Sequence, residues 1–317
     1  MSPAVSVIVP NYNHEIFLDK RINSILNQTY QDFELIILDD YSTDNSRDII
    51  EKYRGHKKTS QIIYNVENSG STFKQWNKGI CLAKGKYIWI AESDDFCEPH
   101  FLEKLIMLHK QGGNIGIAYC KSLPVNDQNL IYDRSDWWMK RVAQNRWEQD
   151  FNNTGIDECR NYLAVQCTIP NASAVLFNAE CLKMIDWDEM HYKVCGDWYI
   201  YAAVLRNYNI IYESEPLNYH RNHSNNARSR YHSNIIIEQY SVLNYINSIV
   251  KVNKTLAYYK SLDERMSNFI SLIKLKKITI KKTLSVLLAM RKFDPFFIFR
   301  FFKILIFRAL KIKFNFE

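Results

Sequence analysis

Short apolar runs rich in β-branched residues, each stopping on a polar or acidic turn and followed by a segment of helical period, leave this chain little choice of architecture. Val5 to Val9, Phe33 to Leu38, Gln61 to Val66, Tyr87 to Ala91 and Ile115 to Tyr119 are the strand candidates of the first 120 residues. Between them Leu18, Ile22 and Ile25 repeat at i, i+4, i+7. Trp76 and Ile80 do the same with Ala83, and Pro99 stands where a first helical turn tolerates proline. Near-continuous apolar strands joined by helical crossovers predict an α/β fold, a doubly wound and mostly parallel sheet covered on both faces. In such sheets ligands bind beyond the carboxyl ends of the strands.

Three of those ends carry chemistry. Pro10-Asn11-Tyr12-Asn13 follows the first strand, Asp39 to Asp44 the second, and Glu92-Ser93-Asp94-Asp95 the fourth. Three carboxylates within four residues at a buried strand tip repel one another and cost desolvation, which a cation, a basic partner or water must offset. Oxygen donors favour Mg²⁺ or Mn²⁺, and Mg²⁺ is usually shared between one or two carboxylates and substrate phosphates. A solvated acidic turn is the plainer alternative. With an aromatic ring, a carboxylate able to accept N–H or ribose O–H bonds, and a metal-holding carboxylate on one edge, the set suits a nucleoside diphosphate.

The runs from Val5 to Asn13, from Ser24 to Tyr30 and from Phe33 to Asp44 resemble, in order and spacing, the opening of the family 2 inverting glycosyltransferases of the GT-A fold. Asn68-Ser69-Gly70, Asn77-Lys78-Gly79 and Gly85 to Ile88 continue that pattern, and Glu92-Ser93-Asp94 occupies the place of the family's DxD signature. The resemblance is strong over residues 4 to 120, looser to about 225, and absent from the tail. It implies that Asp40 hydrogen-bonds the base with Asp39 beside it, that Pro10 and Tyr12 line the nucleoside pocket, and that Asp94 holds the metal bridging the donor's diphosphate. Glu92, with Ser93 next to it, replaces the first aspartate of the signature, commonly near the ribose. Lys74 lies where the family often presents a cation to the diphosphate, and Trp76 where an arginine is common.

Inversion needs a carboxylate to take the acceptor's proton and a Lewis acid to receive charge on the departing diphosphate. Cys195-Gly196-Asp197-Trp198 matches the position of the family's catalytic base, which makes Asp197 the candidate; as a residue at the start of the expected Gly196 to Arg206 helix it is equally a helix cap. His220-Arg221-Asn222-His223 follows the last short strand, Ile210 to Tyr212. Related enzymes place an Arg-x-His near the diphosphate here, so His223 is a candidate metal ligand and Arg221 a candidate phosphate contact. A solvated loop is the alternative.

Between these motifs, residues 122 to 165 read as an irregular aromatic excursion that includes Trp137, Trp138 and Trp147, and Ala172 to Phe177 reads as a further strand. The expected division is a glycosyltransferase domain over residues 1–230, with a nucleotide-sugar half (1–120) and an acceptor half (121–230), followed by a basic helical extension over 231–317. The chain has 317 residues and a formal charge of +7, but residues 251–317 hold 16 Lys+Arg against 4 Asp+Glu, a net of +12, leaving 25 against 30, or −5, for the rest. Within that tail, residues 296–312 form a candidate helix with Arg300, Lys303, Arg308 and Lys311 on one arc and aromatic and aliphatic residues on the other. Two placements follow: in a membrane interface with its cations on anionic headgroups, or packed on the body.

The basic tail lacks a nucleic-acid docking motif, so no nucleic-acid partner is expected. Seven cysteines without a CxxC pair suggest reduced thiols. A strand beginning at Val5 leaves no room for a signal peptide, and no apolar stretch of membrane-spanning length occurs. These features point to the cytoplasm, at the inner face of the membrane, with a nucleotide sugar as donor and a glycan or polyprenyl-diphosphate-linked acceptor in bacterial surface-polysaccharide assembly. A sugar-nucleotide nucleotidyltransferase would need a Gly-rich basic loop after the first strand, which Pro10 to Asn13 does not supply. A catalytically silent glycan-binding module on the same fold is the non-enzyme alternative.

Overall fold

The computed structural model describes residues 2–132, 137–187, 190–222, 232–275 and 278–310. Nine strands among these form one sheet: β1 Val5–Asn11, β2 Phe33–Asp39, β3 Thr59–Tyr64, β4 Tyr87–Ile90, β5 Phe96–Cys97, β6 Ile115–Val125, β7 Phe151–Asn153, β8 Val175–Asn178 and β9 Asn209–Arg221. Their order is β3-β2-β1-β4-β8-β6-β9-β5, with β7 also on β9. The first four are mutually parallel, as are β6 and β9. β8 runs antiparallel between β4 and β6 and joins the parallel half to the rest.

The strand periodicity explains why both faces are covered. Val5, Val7 and Val9 of β1 and Leu35 and Ile37 of β2 are buried against Leu18, Ile22 and Ile25 of the Glu15–Leu26 helix. Ile8, Ile36 and Leu38 face the other way and join Phe73 and Trp76 of the Thr72–Leu82 helix.

Several elements differ from the sequence reading: β3 spans Thr59–Tyr64 instead of Gln61 to Val66, β6 runs on to Val125, β5 and β7 had no counterpart, and two others differ further. β9 runs for 13 residues instead of the three expected, because its polar second half pairs with the end of β6 through register shifts at Lys121, and Pro216 sits at that irregularity. Ala172 to Phe177 divides into a 3₁₀ turn, Ala172–Ala174, and β8. The excursion after β6 is organised by a buried ion pair: Arg146 donates to both oxygens of Glu158 at 3.0 and 2.6 Å, with its guanidinium over the rings of Phe151 and Tyr162.

Among the described residues past 231 the helices are His232–Ile249, Leu256–Lys274, Ile280–Phe293 and Phe297–Ala309, and their buried residues belong to the core cluster that includes Ile8, Ile36 and Leu38 of the sheet. The last helix is oriented opposite to a picture in which its cations meet lipid headgroups. Arg300 is buried and pairs with Asp294 at 2.7 Å and with Asp263, Lys303 Nζ reaches Asp263 at 3.2 Å, and Arg308 donates to Ser267 and Ser271. Lys311 lies outside the described residues. Two acidic partners outweigh the cost of turning the cationic arc inward, so the apolar arc faces out: Phe299 is 71% exposed, and Ile298, Phe302 and Ile306 more than half exposed.

Candidate active site

The loops after β1, β2 and β4 interlock. Asn11, at the end of β1, donates through Nδ2 to Asp39 Oδ1 and Ser42 Oγ, both at 3.1 Å. Asn13, at φ +57°, donates its N–H to Ser42 Oγ and accepts from Thr43 N at 2.7 Å. Asp39 is fully buried and also accepts from Ser42 N and Arg47 Nε. Asp40 is 5% exposed, and its Oδ1 accepts from Asn65 Nδ2, Ser69 N and Gln75 Nε2 at 2.6 to 2.9 Å while Oδ2 accepts from Ser69 Oγ at 2.8 Å. Asp40 therefore fastens the Asn68-Ser69-Gly70 loop, where Gly70 takes φ +66°, to the end of β2. Tyr41 beside it is left-handed (φ +65°) and half exposed, a conformation that costs a bulky residue energy and is found where the surrounding structure imposes it.

The β4 loop is built differently. Glu92 accepts one hydrogen bond from Trp76 Nε1 at 2.7 Å. Burial, and then the Asp94 charge, push its carboxyl up to about 8. Asp95 is buried, with Oδ2 on Asn171 Nδ2 and Oδ1 on the Arg221 N–H, and burial followed by Asp94 raises it as well. Ser93 is buried with its hydroxyl 2.7 Å from His14 Nδ1, which ties this loop to the one after β1. The Arg21 guanidinium is fully buried 4.7 Å from the Trp89 ring, and its charge lowers both Glu92 and Asp95.

One helix, Thr72–Leu82, connects these carboxylates to the candidate base. Its Gln75 reaches Asp40, its Trp76 reaches Glu92, and its Phe73 packs so tightly on Gly196 that a Cβ there would lie 2.6 Å from the ring. Asp197 follows in the first turn of the Gly196–Leu205 helix and accepts from Trp198 N at 2.7 Å; the N-cap is Cys195, so Asp197 is not the helix cap that its alternative role called for. Tyr201, one turn on, is fully buried; burial first, then the charges of Asp197, Cys167 and Glu92, raise its hydroxyl well above the ordinary phenol range. Asp197 and Glu92 thus bear on the same group.

Of the remaining candidates, Pro10 is buried in register with Leu38, Tyr12 is half-buried in the bend after β1, and Lys74 is exposed in the first turn of the Thr72–Leu82 helix. Arg221 is placed differently from a phosphate contact. Its Nε donates to the Asp94 carbonyl at 2.8 Å, Nη1 to the Asn126 carbonyl and Nη2 to Asn129 Oδ1 at 2.6 Å, and the group lies 4.3 Å from the Phe17 ring. Its Nε and its backbone N–H, which donates to Asp95 Oδ1, tie it to the acidic loop, and its other two donors reach the turn after β6. His223 lies outside the described residues. Asn65 and Gln75 carry no individual sequence signal, since their importance comes only from converging on Asp40, where Ser69 of the Asn68-Ser69-Gly70 motif joins them.

Among the described residues no group of three or more His, Cys, Asp and Glu side chains is arranged to hold a metal. The donor set nonetheless fits Mg²⁺ or Mn²⁺, which needs one or two carboxylates and takes its other oxygens from phosphate and water. Glu92 and Asp94 supply hard oxygens at a partly buried strand end, where the Asp94 charge raises the Glu92 carboxyl.

The model of glycosyl transferase family 2 matches residues 6–166. The chain is 40% identical over 133 residues to the glycosyltransferase GlyG of Streptococcus pneumoniae, covering 42% of this chain and 44% of that protein. It is 38% identical over 102 residues to the putative teichuronic acid biosynthesis glycosyltransferase TuaG of Bacillus subtilis, covering 32% and 40%. The matches thus span under half the length of these relatives. In fold it is similar to residues 1–349 of Staphylococcus aureus TarS, solved in complex with UDP-GlcNAc, with a TM-score of 0.66 and 21% identity over 92% of this chain and 80% of that one.

Proposed function

The chain belongs to glycosyl transferase family 2, and from that premise we propose that it moves one sugar, with inversion, from a UDP-linked donor to a glycan or polyprenyl-diphosphate-linked acceptor in bacterial surface-polysaccharide assembly. The observation that supports this most is the Thr72–Leu82 helix, a single rigid element in contact with Asp40, Glu92 and the turn that carries Asp197. The nucleoside would lie against the β1 and β2 loops beside Tyr12 and Asp40. Asp94, with Glu92, would hold Mg²⁺ or Mn²⁺, which when bound supplies Lewis acidity to the departing diphosphate. Lys74 would add positive charge from the helix's first turn, where the backbone N–H groups also favour an anion. Asp197 would take the acceptor's hydroxyl proton as that oxygen bonds to the anomeric carbon and the bond to the diphosphate oxygen breaks on the opposite side. Arg221 would act through the acidic loop, which its Nε and backbone N–H hold at the Asp94 carbonyl and Asp95 Oδ1.

Among the described residues no helix is long and apolar enough to cross a membrane. The outward arc of the last helix, with Leu284 and Leu288 of the helix before it, would instead lie in the interfacial layer of the inner face, drawn there by the tail's net positive charge. This placement would bring the crevice to a lipid-linked acceptor.

A thermal-shift screen of nucleotides and nucleotide sugars with and without Mn²⁺ tests the reading, because a ligand that binds the folded state raises the melting temperature by mass action. UDP-sugars are expected to stabilise strongly only with the metal present. Stabilisation by free glycans but by no nucleotide would replace the enzyme reading with a silent binding module.

A further inference from the structure

The turn that presents Asp197 is held from outside the family-matched residues. Lys193 N donates to Glu238 Oε1 at 2.9 Å, and Val194 N and Cys195 N donate to Oε2 at 2.8 and 2.9 Å. Glu238 belongs to the His232–Ile249 helix and is 7% exposed. Three successive backbone N–H groups converging on one carboxylate form an anion cradle, and each bond is strengthened by the charge. The turn cannot shift without leaving a buried carboxylate unpaired, a heavily penalised state. One residue later, Gly196 is pressed on Phe73. On the same turn, the Lys193 ammonium crosses to the Gly70 carbonyl at 2.7 Å, in the loop that Asp40 fastens through Ser69. The backbone just before Asp197 is therefore fixed to three separate parts of the molecule, and Glu238 contributes the most bonds.

We propose that Glu238 is a positioning residue for the catalytic base: the C-terminal helical region completes the active site by setting the backbone from which Asp197 reaches the acceptor hydroxyl. The inference rests on the reading of Asp197 as the base. Misplacement by about 1 Å can cost about 10²-fold in rate, and a residue that acts by placing the base lowers kcat without weakening donor binding.

Steady-state kinetics of Glu238→Ala, Glu238→Gln, Asp197→Asn and the Glu238→Ala/Asp197→Asn double variant test this, with donor affinity measured by calorimetry and folding by circular dichroism. Glu238→Ala is expected to lose about 10²-fold in kcat with donor Kd within about threefold of wild type, and to cost Asp197→Asn at most about threefold more, since residues acting as a unit are not additive. Glu238→Gln is expected to fall between, because its amide nitrogen cannot accept from the two N–H groups that one carboxylate oxygen serves. A folded Glu238→Ala protein with wild-type kcat beside an inactive Asp197→Asn overturns the proposal, as does full additivity in the double variant. Wild-type turnover in Asp197→Asn removes the base reading itself, whatever Glu238 does. Should Glu238→Ala fail to fold, Glu238→Gln decides: a kcat loss of about tenfold or more at unchanged donor affinity supports the proposal, and wild-type kcat overturns it.

Discussion

The acidic residues at the end of β2 and those after β4 stand on the strand tips either side of β1 and are treated in opposite ways. Asp39 and Asp40 are saturated by the protein's own donors, from Asn11, Ser42 and Arg47 on the first and from Asn65, Ser69 and Gln75 on the second. Glu92 has the Trp76 indole and the charge of Arg21, and burial still drives its carboxyl up to about 8. The first pair is finished as folded, a rigid wall that fixes three loops. At the second tip Asp95 is paired by Asn171 and the Arg221 N–H, but Glu92 keeps a raised carboxyl beside Asp94, which is the condition in which a divalent cation adds more than it costs.

The largest expected effect lies on the incomplete side. Asp94→Ala should lower metal-supported turnover by about 10³-fold, several kcal/mol of transition-state stabilisation, while leaving the fold intact. Sugar-transfer rates titrated with Mn²⁺ measure this, and turnover that stays at the wild-type level would erase the distinction between the two tips. The saturated side should respond in the reverse sense. Asp40→Ala strands the Gln75 amide and the Ser69 N–H in a buried place and should cost about 3 kcal/mol of stability, read by chemical denaturation. If Asp40→Ala instead unfolded at the wild-type denaturant midpoint, its four hydrogen bonds would not be holding the wall together.

The same asymmetry separates what the sequence made legible from what it did not. β1, β2 and β4 and their loops could be read because each apolar run is buried on both faces and stops on Asn, Asp or Glu, so local pattern and tertiary role agree, whereas the half-buried edge strand β3 lies at Thr59–Tyr64, two residues before the expected Gln61 to Val66. The short β5 and β7 carry too few residues for a period, and the second half of β9 is a strand only because β6 pairs with it. Arg221 looked like an anion contact because a basic residue beside an acidic loop has that appearance; its acceptors, the carbonyls of Asp94 and Asn126, are invisible in one dimension. In the last helix the period was right and the direction wrong. A helical wheel shows which residues share an arc, but the inward turn of Arg300 and Lys303 was decided by Asp263, some 40 residues earlier. Glu238 gave no signal at all, since its three donors are backbone groups.

A smaller effect is expected from pH. Glu92 binds its proton more tightly in the folded state, about 8 against an ordinary value of 4.5. Its contribution to the stability of the metal-free protein is therefore fully present below about 4.5, declines as pH rises between those values, and is gone above about 8. Metal competes with that proton, so stabilisation by Mn²⁺ should grow over the same interval. Melting temperatures between about pH 6 and 9, with and without Mn²⁺, should show the two slopes with opposite sign, and Glu92→Gln should flatten the metal-free one. An unchanged slope in that variant would assign the proton to another group.

The smallest change tests whether Trp76 belongs to the site or only to the core. Trp76→Phe keeps most of the apolar surface packed with Phe73 and removes the indole N–H, the one neutral donor that lowers Glu92. The expected stability loss is about 1 kcal/mol, that of an ordinary hydrogen bond. The informative quantity is the pH at which Mn²⁺ begins to stabilise. With the donor gone the carboxyl rises further, so that onset should move to higher pH, whereas a pure packing defect would lower the melting temperature equally at every pH. An onset that stays put would mean the indole merely fills space, and that the contrast between the two strand tips owes nothing to the helix linking them.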